Sequence, residues 1–309
     1  MIIKVPRVAI SISCIKSNNE AKQLLTKIVA EGWECERILI VDSLGTGEFD
    51  KFISRFCLID KILYFNSEFN LGSAGNLNKR LIWANNLGMD FVLALNHDAI
   101  ITHSVYNELI LNTRRSANIG ALYPLRYLKQ RGVYDLSGKN YFPRSISGSA
   151  IRPNSDITDV YWSSSNGALY STKPIRDLNS IYPDKNLWMG WEDYLYGLQI
   201  QKMGYSQWII TKAETIDNYE YKNINILSKN KIVSDKPIWY CYYDPRNLLL
   251  IAKNRLKSPI LFIYILFRIL IGLIIVSFKY KNNKKTAIKY YLFGIRDGLF
   301  NIDGKWILP

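Results

Sequence analysis

The chain has 309 residues, of which 48% are hydrophobic, and a formal net charge of +14. This length and apolar fraction exclude an intrinsically disordered chain, and they allow a buried core without disulfide or metal staples. The four cysteines lie far apart without a Cys-x-x-Cys spacing, which argues against a zinc ribbon and against a secreted disulfide scaffold. The N-terminal segment lacks a continuous apolar stretch of the signal-peptide type, so we expect no export.

The first third of the chain alternates predicted strands with predicted helices. Strands are expected at Val8–Cys14, Arg37–Val41, Lys61–Phe65 and Phe91–Leu95, and helices at about 19–31, Phe49–Phe56 and Ser73–Leu87. This alternation predicts right-handed crossovers and an α/β fold with a mostly parallel sheet flanked by helices. Ligands of such sheets bind at the carboxyl ends of the strands, where Asp42 and Asp98 are placed.

The rest of the chain is less regular. Short strands are expected at Asp159–Trp162 and Ala168–Ser171, a helix at Asp193–Met203, a strand at Ser206–Lys212 and a helix beginning at Asp244-Pro245. The composition shifts between about 225 and 258. We therefore predict one domain over residues 1–225 and a C-terminal helical region over 226–309.

The C-terminal region combines positive charge with the most apolar stretch of the chain, Ile260–Phe278. Residues 251–309 contain eleven Lys or Arg and two Asp. Basic residues beside an apolar stretch favour anionic lipid over nucleic acid. Arg268 at the centre and lysines on both flanks argue against a spanning helix, so we expect a helix lying in the membrane interface. A spanning helix and a buried or dimer-forming helix remain open alternatives.

Two carboxylate-bearing segments are candidates for catalysis. Asn96-His97-Asp98 follows a buried strand, where a carboxylate can hold a divalent cation; a simple turn cap is the alternative. Glu192 and Asp193 begin a helix among aromatic residues, where the pKa of a carboxyl rises toward the range of a general base. Favourable placement of acids at a helix N-terminus explains the charges but not the two tryptophans, Trp188 and Trp191, which suggest a platform for sugar stacking.

Two further segments are candidates for binding a phosphorylated ligand. Asn70–Asn78 opens a helix with small residues, which lets a ligand approach the backbone and the helix N-terminus. It is neither a Walker loop nor a dinucleotide fingerprint. Tyr242–Asn247 places Arg246 in a first helical turn, where it suits a diphosphate, although an ordinary capped helix explains the same residues.

These motifs together resemble the inverting glycosyltransferases of family 2, which have the GT-A fold. The similarity is greatest to the rhamnosyltransferase-like and galactofuranosyltransferase-like branch, and it covers nearly the whole chain. It rests on the ordered motifs VAISISC, VDSLGTGE, NLGSAGNLNKRL, LALNHDA and GWEDYLYGLQIQKMGY, together with YYDPRN and GIRDGLFNIDGKW. The family pattern has an Asn where Ser43 stands. It has a His where Asp217 is placed.

The resemblance implies a role for each matching position. Asp193 would be the general base with Glu192 beside it, and Asp98, with Asp217 in place of the His, would bind Mg²⁺ or Mn²⁺. The donor-binding positions would be Ser13, Asp42, Asn70, Gly72, Asn78, Asn96 and Arg246. The acceptor-binding positions would be Asn166, Trp188 and Trp191.

The expected activity is transfer of one sugar from a nucleotide-diphosphate donor to a lipid-linked oligosaccharide. By resemblance the donor is dTDP-rhamnose or UDP-galactofuranose, and the product belongs to a bacterial surface polysaccharide such as O-antigen or capsule. The absence of a Gln-x-x-Arg-Trp motif argues against a processive synthase. We expect a peripheral protein at the cytoplasmic face of the inner membrane, with no nucleic-acid partner. A homodimer, and a non-catalytic module that binds nucleotide sugar or glycan, remain alternatives.

Overall fold

The computed structural model describes residues 5–56, 59–143, 148–177, 181–217, 221–226 and 229–305. The strands are β1 Val8–Ile15, β2 Arg37–Ser43, β3 Ile62–Ser67, β4 Phe91–Asn96, β5 Ile119–Leu128, β6 Val133–Asp135, β7 Gly148–Ser149, β8 Ile157–Asp159, β9 Ala168–Ser171, β10 Ser206–Asp217, β11 Tyr221–Ile226 and β12 Lys229–Ser234. The helices are α1 Asn19–Ala30, α2 Glu48–Ile53, α3 Gly72–Asn86, α4 His103–Asn112, α5 Lys173–Arg176, α6 Glu192–Lys202, α7 Tyr240–Leu250, α8 Pro259–Lys279 and α9 Lys284–Leu299.

The central sheet has the strand order β3-β2-β1-β4-β9-β5-β10-β8, with β6 paired to β5 and β7 paired to β6. β3, β2, β1 and β4 are parallel, as are β5 and β10, whereas β9 and β8 run antiparallel to their neighbours. The predicted mostly parallel α/β sheet flanked by helices is therefore confirmed. After β3 the chain crosses back to form β4 on the other side of β1, so the strand order reverses between β1 and β4. Such a reversal opens a crevice at the carboxyl ends of the strands.

Both faces of the sheet are covered because its buried strands are apolar on both sides. On one face Ile10 and Ile12 of β1 pack in a core that includes Leu25 of α1 and Leu109 of α4. On the other face the core includes Ala9 of β1 together with residues of α3 and α6. Successive side chains of a strand point to opposite faces, which explains this division.

A third core joins α6 to the C-terminal helices. Leu195 and Leu198 of α6 lie in one cluster with Leu248 and Leu249 of α7 and with residues of α8 and α9. α7 and α9 pack closely because Gly294 has no side chain: a Cβ there would overlap the Tyr242 carbonyl oxygen.

Four sequence-based element predictions are wrong at a boundary. The helix expected to end at Phe56 ends at Ile53, and the strand expected to end at Lys212 continues to Asp217. The strand expected at Asp159–Trp162 is instead β8, Ile157–Asp159, and Val160 and Tyr161 donate their N–H groups to Gln207 and Gly138. The helix expected to begin at Asp244 begins at Tyr240, with Pro245 inside it. The division into 1–225 and 226–309 stays a prediction, and residue 226 lies in the hairpin formed by β11 and β12.

Candidate active site

Residues predicted to bind the donor and the acceptor meet at the crevice where the strand order reverses. Ser13 of β1 is in register with Val41 of β2 on one side and with Asn96 of β4 on the other. The Asn96 N–H donates to Oδ1 of Asn166, at 2.9 Å. The fold therefore brings Ser13, Asn96 and Asn166 to one edge of the sheet, from segments that are distant in the sequence.

Asp42 lies at the same edge but is fully buried. Its carboxylate accepts hydrogen bonds from the Ser17 hydroxyl at 2.7 Å, from the Ser17 N–H and from the Tyr64 hydroxyl at 3.0 Å. Gly45 lies against this group, since a Cβ there would be 2.7 Å from Oδ2 of Asp42. Asp42 therefore holds the loop that follows β1 in place, which is a contact that the sequence did not indicate.

The predicted donor loop at the start of α3 is packed against Trp188. The Trp188 indole N–H donates to the Asn70 carbonyl at 3.1 Å, and the Ala74 N–H donates to the Trp188 carbonyl at 3.1 Å. Gly72 has φ of +66°, and a Cβ at this position would overlap the Trp188 carbonyl oxygen, so only glycine suits this site. Asn78 donates to the Pro183 carbonyl at 2.8 Å. These residues join the start of α3 to residues 183–188, which precede α6.

Arg246 and Asn247 of α7 hold the other side of the segment that precedes α6, at residues 187–190. The Asn247 amide donates to the carbonyls of Leu187, Met189 and Gly190 at 2.8–3.0 Å. Arg246 is fully buried and donates to the carbonyls of Leu187 and Gly304. The structure thus places Arg246 in the interior, where it orders the segment before α6.

The two carboxylates at the start of α6 have different surroundings. Glu192 is 6% exposed, and its Oε2 has no hydrogen-bond partner in the described part of the chain. Burial raises its pKa, and a hydrogen bond from the Ser73 side chain opposes that shift. Asp193 is half-buried and accepts a hydrogen bond from the Tyr194 N–H at 2.8 Å. Burial, followed by the charge of Glu192, raises the pKa of Asp193 to about 7.

Two basic side chains act on this pair. The charges of Lys236 and Arg126 lower the pKa of Asp193 and so limit the effect of burial. Burial lowers the pKa of Lys236, while Asp244, Glu192 and Asp193 oppose that shift. Lys236 lies between β12 and α7, outside every motif in the sequence analysis, so only the fold reveals it.

The predicted metal ligands lie in different environments. Asp98 is exposed in the turn after β4. Asp217, at the end of β10, forms an ion pair with Arg126, which also pairs with Asp135 at 3.3 Å. The described residues contain no group of three or more His, Cys, Asp or Glu that could hold a metal. Of the two predicted metal ligands, Asp98 is therefore accessible, whereas Asp217 is engaged by Arg126.

The two predicted stacking tryptophans differ in accessibility. Trp188 is 3% exposed and packs on Tyr243, with ring centroids 4.8 Å apart. Trp191 is half-buried and precedes α6 with φ of +69°. Its indole N–H donates to Asp244 at 2.9 Å, and the Arg268 guanidinium lies 5.0 Å from its ring. Trp191 is therefore the tryptophan of this pair that is accessible beside Asp193.

Comparisons with known proteins identify the fold. No family model and no curated protein sequence matches the chain. Among solved structures, the chain is similar to the mannosyltransferase PcManGT from Pyrobaculum calidifontis in complex with GDP-Man and Mn²⁺, with 11% identity, a TM-score of 0.55, and coverage of 97% of this chain and 88% of that one. It is also similar to S. aureus TarS 1–349, with 14% identity, a TM-score of 0.52, and coverage of 96% and 92%.

A second structure of TarS 1–349, in complex with UDP-GlcNAc, has 14% identity to the chain and a TM-score of 0.55, with coverage of 96% of this chain and 83% of that one. Identities this low show the fold alone. The chain therefore has the GT-A-like fold of solved glycosyltransferases, as the resemblance of its motifs implied.

Proposed function

We propose that this protein is an inverting glycosyltransferase of family 2 that transfers a single sugar from a nucleotide-diphosphate donor. One observation carries the proposal: the half-buried Asp193, with a pKa raised to about 7, lies beside an accessible tryptophan in a fold shared with glycosyltransferases. A carboxylate of this pKa is matched to proton abstraction near neutral pH. A purely structural carboxylate gains nothing from such a shift.

The donor would occupy the crevice at the carboxyl ends of β1, β2 and β4. Ser13, Asn96 and the loop from Asn70 to Gly72 border this region. The solved relatives in fold are complexes with GDP-Man and with UDP-GlcNAc, which supports a nucleotide-sugar ligand. By the resemblance of the motifs, dTDP-rhamnose and UDP-galactofuranose are the donors to test first.

The proposed chemistry uses Asp193 as the base. The acceptor hydroxyl oxygen attacks the anomeric carbon from the side opposite the leaving group, and Asp193 takes the hydroxyl proton. The new glycosidic bond forms as the bond between the anomeric carbon and the phosphate oxygen breaks, and the nucleoside diphosphate leaves. The arrangement inverts the configuration at the anomeric carbon. A Mg²⁺ or Mn²⁺ ion, which Asp98 would hold, supplies stabilisation of the diphosphate charge when bound.

The acceptor would bind on the other side of Asp193, beside Trp191. We propose a lipid-linked oligosaccharide at the cytoplasmic face of the bacterial inner membrane, used for a surface polysaccharide such as O-antigen or capsule. The apolar, basic C-terminal helices support this choice because Asp244 and Arg268 contact Trp191, which directly precedes the carboxylate pair.

The test compares donor binding with turnover. Thermal shifts with a panel of nucleotide sugars, with and without Mn²⁺, should single out one donor, since a ligand at about 100 times its Kd stabilises by roughly 2.7 kcal/mol. Asp193→Asn should keep this shift and lose transfer to a synthetic lipid-diphosphate saccharide by about 10²-fold or more. Normal turnover in Asp193→Asn would refute the base assignment, and binding without turnover in the unmodified protein would favour a non-catalytic module.

A further inference from the structure

α8 is an apolar helix with one side in the protein and the other in solvent. Among the described residues it is the helix that is long and apolar enough to cross a membrane, yet only 22% of its apolar window is buried. Its inner side is formed by Leu261, Ile265, Ile269 and Val276. Its outer side exposes Ile260, Ile263, Leu266, Phe267, Leu270, Ile271 and Ile274, each by 38–72%. We call these seven residues the outer face of α8.

The outer face is a continuous stripe, because its residues recur at intervals of one, three or four positions along a helix. Large apolar side chains that are scattered singly on a surface need no explanation, whereas a contiguous exposed stripe of this length indicates a binding partner.

Contacts along the inner side hold α8 against the catalytic part of the molecule. Arg268 lies 3.5 Å from the Asp244 carboxylate and stacks on Trp191. The Tyr264 ring packs on Phe142, with centroids 4.7 Å apart. Near the end of the helix, the Tyr280 hydroxyl donates to the Lys236 carbonyl at 2.5 Å. Two turns of the helix, and the residue that follows it, are thereby tied to the rest of the molecule.

These contacts decide the orientation of α8 relative to a bilayer. A spanning helix would have to break them and place Arg268 near the bilayer centre, at a cost of roughly 2.5–3.5 kcal/mol on insertion scales. A helix lying in the membrane plane keeps all of them and still removes the outer face from water. The structure therefore favours the in-plane arrangement among the alternatives that the sequence left open.

The charges around the outer face identify the partner. Residues 245–296 contain no Asp or Glu. Exposed lysines lie at both ends of α8, at Lys253 and Lys257 before it and at Lys281, Lys284 and Lys285 after it. A second copy packed antiparallel would bring the basic end of one helix onto the basic end of the other, and a parallel pair would align like charges. Anionic lipid headgroups complement both ends at once, with about 1 kcal/mol per basic residue near the surface.

We propose that the outer face of α8 docks in the plane of an anionic bilayer, with its flanking lysines on the lipid headgroups. Such a helix enters the boundary between headgroups and acyl chains by about 5–10 Å. Arg268 is the direct link between the docked helix and Trp191, so docking holds the carboxylate pair close to the membrane surface. The inference goes beyond the proposed function, because bilayer binding requires no sugar transfer.

The first test measures partition of the full chain into vesicles. Neutral phosphatidylcholine vesicles are compared with vesicles containing phosphatidylglycerol, using Phe267→Ser/Ile271→Ser and the matched control Val5→Ser/Ile151→Ser, which changes exposed apolar residues elsewhere. We expect strong partition into anionic vesicles only, reduced at least tenfold in the α8 variant and unchanged in the control. Equal loss in both variants, or binding that ignores lipid charge, would overturn the proposal.

A second test distinguishes an in-plane helix from a spanning one. Lys257→Cys and Lys281→Cys place thiols at the two ends of α8, and a membrane-impermeant maleimide is added outside sealed vesicles, with the unsubstituted protein as background. In-plane docking predicts that both thiols react. Protection of one of them would show a spanning helix and overturn the proposal.

A third measurement separates lipid from a second copy and from the catalytic proposal. Sedimentation without lipid should give the same mass for the unmodified protein and for Phe267→Ser/Ile271→Ser; a dimer lost in that variant would assign the face to self-association instead. Asp193→Asn should partition into vesicles like the unmodified protein. Vesicle binding can therefore be interpreted even if sugar transfer fails, and donor binding can be interpreted even if vesicle binding fails.

Discussion

Lowering the pH below 7 should slow sugar transfer, because Asp193 must be ionised to accept the acceptor proton. Burial and the charge of Glu192 raise the pKa of Asp193 to about 7. One unit below the pKa roughly a tenth of the carboxyl is ionised, so the rate at about pH 6 should be roughly a tenth of the plateau above about pH 8. An exposed aspartate, with its ordinary pKa near 4, would give a flat profile over the same range.

The position of this limb should depend on Lys236. Its positive charge lowers the pKa of Asp193, so Lys236→Gln should raise that pKa and move the rising limb to higher pH. The matched control is Lys51→Gln on α2, an exposed lysine that is not among the groups acting on Asp193. The control should leave the limb in place.

The assay is single-turnover transfer with saturating donor and acceptor, so that the chemical step is observed rather than product release. Rates are followed from about pH 5.5 to about pH 8.5, and donor binding is measured at each end of this range. A flat profile with donor binding intact would refute the assignment of Asp193 as the base. If Lys236→Gln does not move the rising limb of the pH profile, the electrostatic explanation for the pKa of Asp193 is refuted.

Four further outcomes are expected. The folded-state pKa of Asp193 exceeds its ordinary value, so ionisation of this carboxyl destabilises the folded protein as the pH rises from about 4 to about 7. Asp193→Asn should therefore raise Tm by about 2 °C or more at pH 8, as measured by calorimetry. Gly72→Ala should lower the free energy of unfolding in urea by about 2 kcal/mol or more, since its Cβ overlaps a backbone carbonyl, whereas Gly47→Ala, with a similar positive φ but nothing within 4 Å, should cost only about 1 kcal/mol. Because Arg268 pairs with Asp244 and stacks on Trp191, Arg268→Leu should lower kcat about tenfold while the donor Kd stays unchanged, and Arg268→Lys should restore part of the rate. Equal losses in kcat and donor affinity would contradict the prediction that Arg268 acts by holding Trp191 in position. Asp98→Asn should weaken activation by Mn²⁺ at least tenfold in a metal titration after chelation, and an unchanged titration would remove Asp98 as a ligand.

Much of the secondary structure could be predicted because it depends on local pattern. The buried strand at Val8–Ile15 and the amphipathic helix at Asn19–Ala30 follow from apolar residues at periods of two and about 3.6. The prediction failed where that pattern is overruled by distant contacts. Val160 and Trp162 are buried like strand residues, but the Val160 N–H donates to the Gln207 carbonyl of β10 and the Tyr161 N–H donates to the Gly138 carbonyl, outside the sheet. The predicted start of α7 was wrong because Asp244 does not cap the helix. Its carboxylate accepts a hydrogen bond from Trp191 and pairs with Arg268.

The sequence alone therefore predicts the order of strands and helices over about the first hundred residues, the polar residues at the ends of those strands and the pair of carboxylates at the start of a helix. The accessibility of Trp191, the interior position of Arg246 and the pairing of Arg268 with Asp244 depend on the tertiary fold. Each of these depends on residues tens of positions apart in the chain, such as Trp191 and Asp244. Burial and charge pairing are properties of the three-dimensional neighbourhood. A local pattern specifies the element on which a residue lies, and packing of distant elements decides what that residue touches.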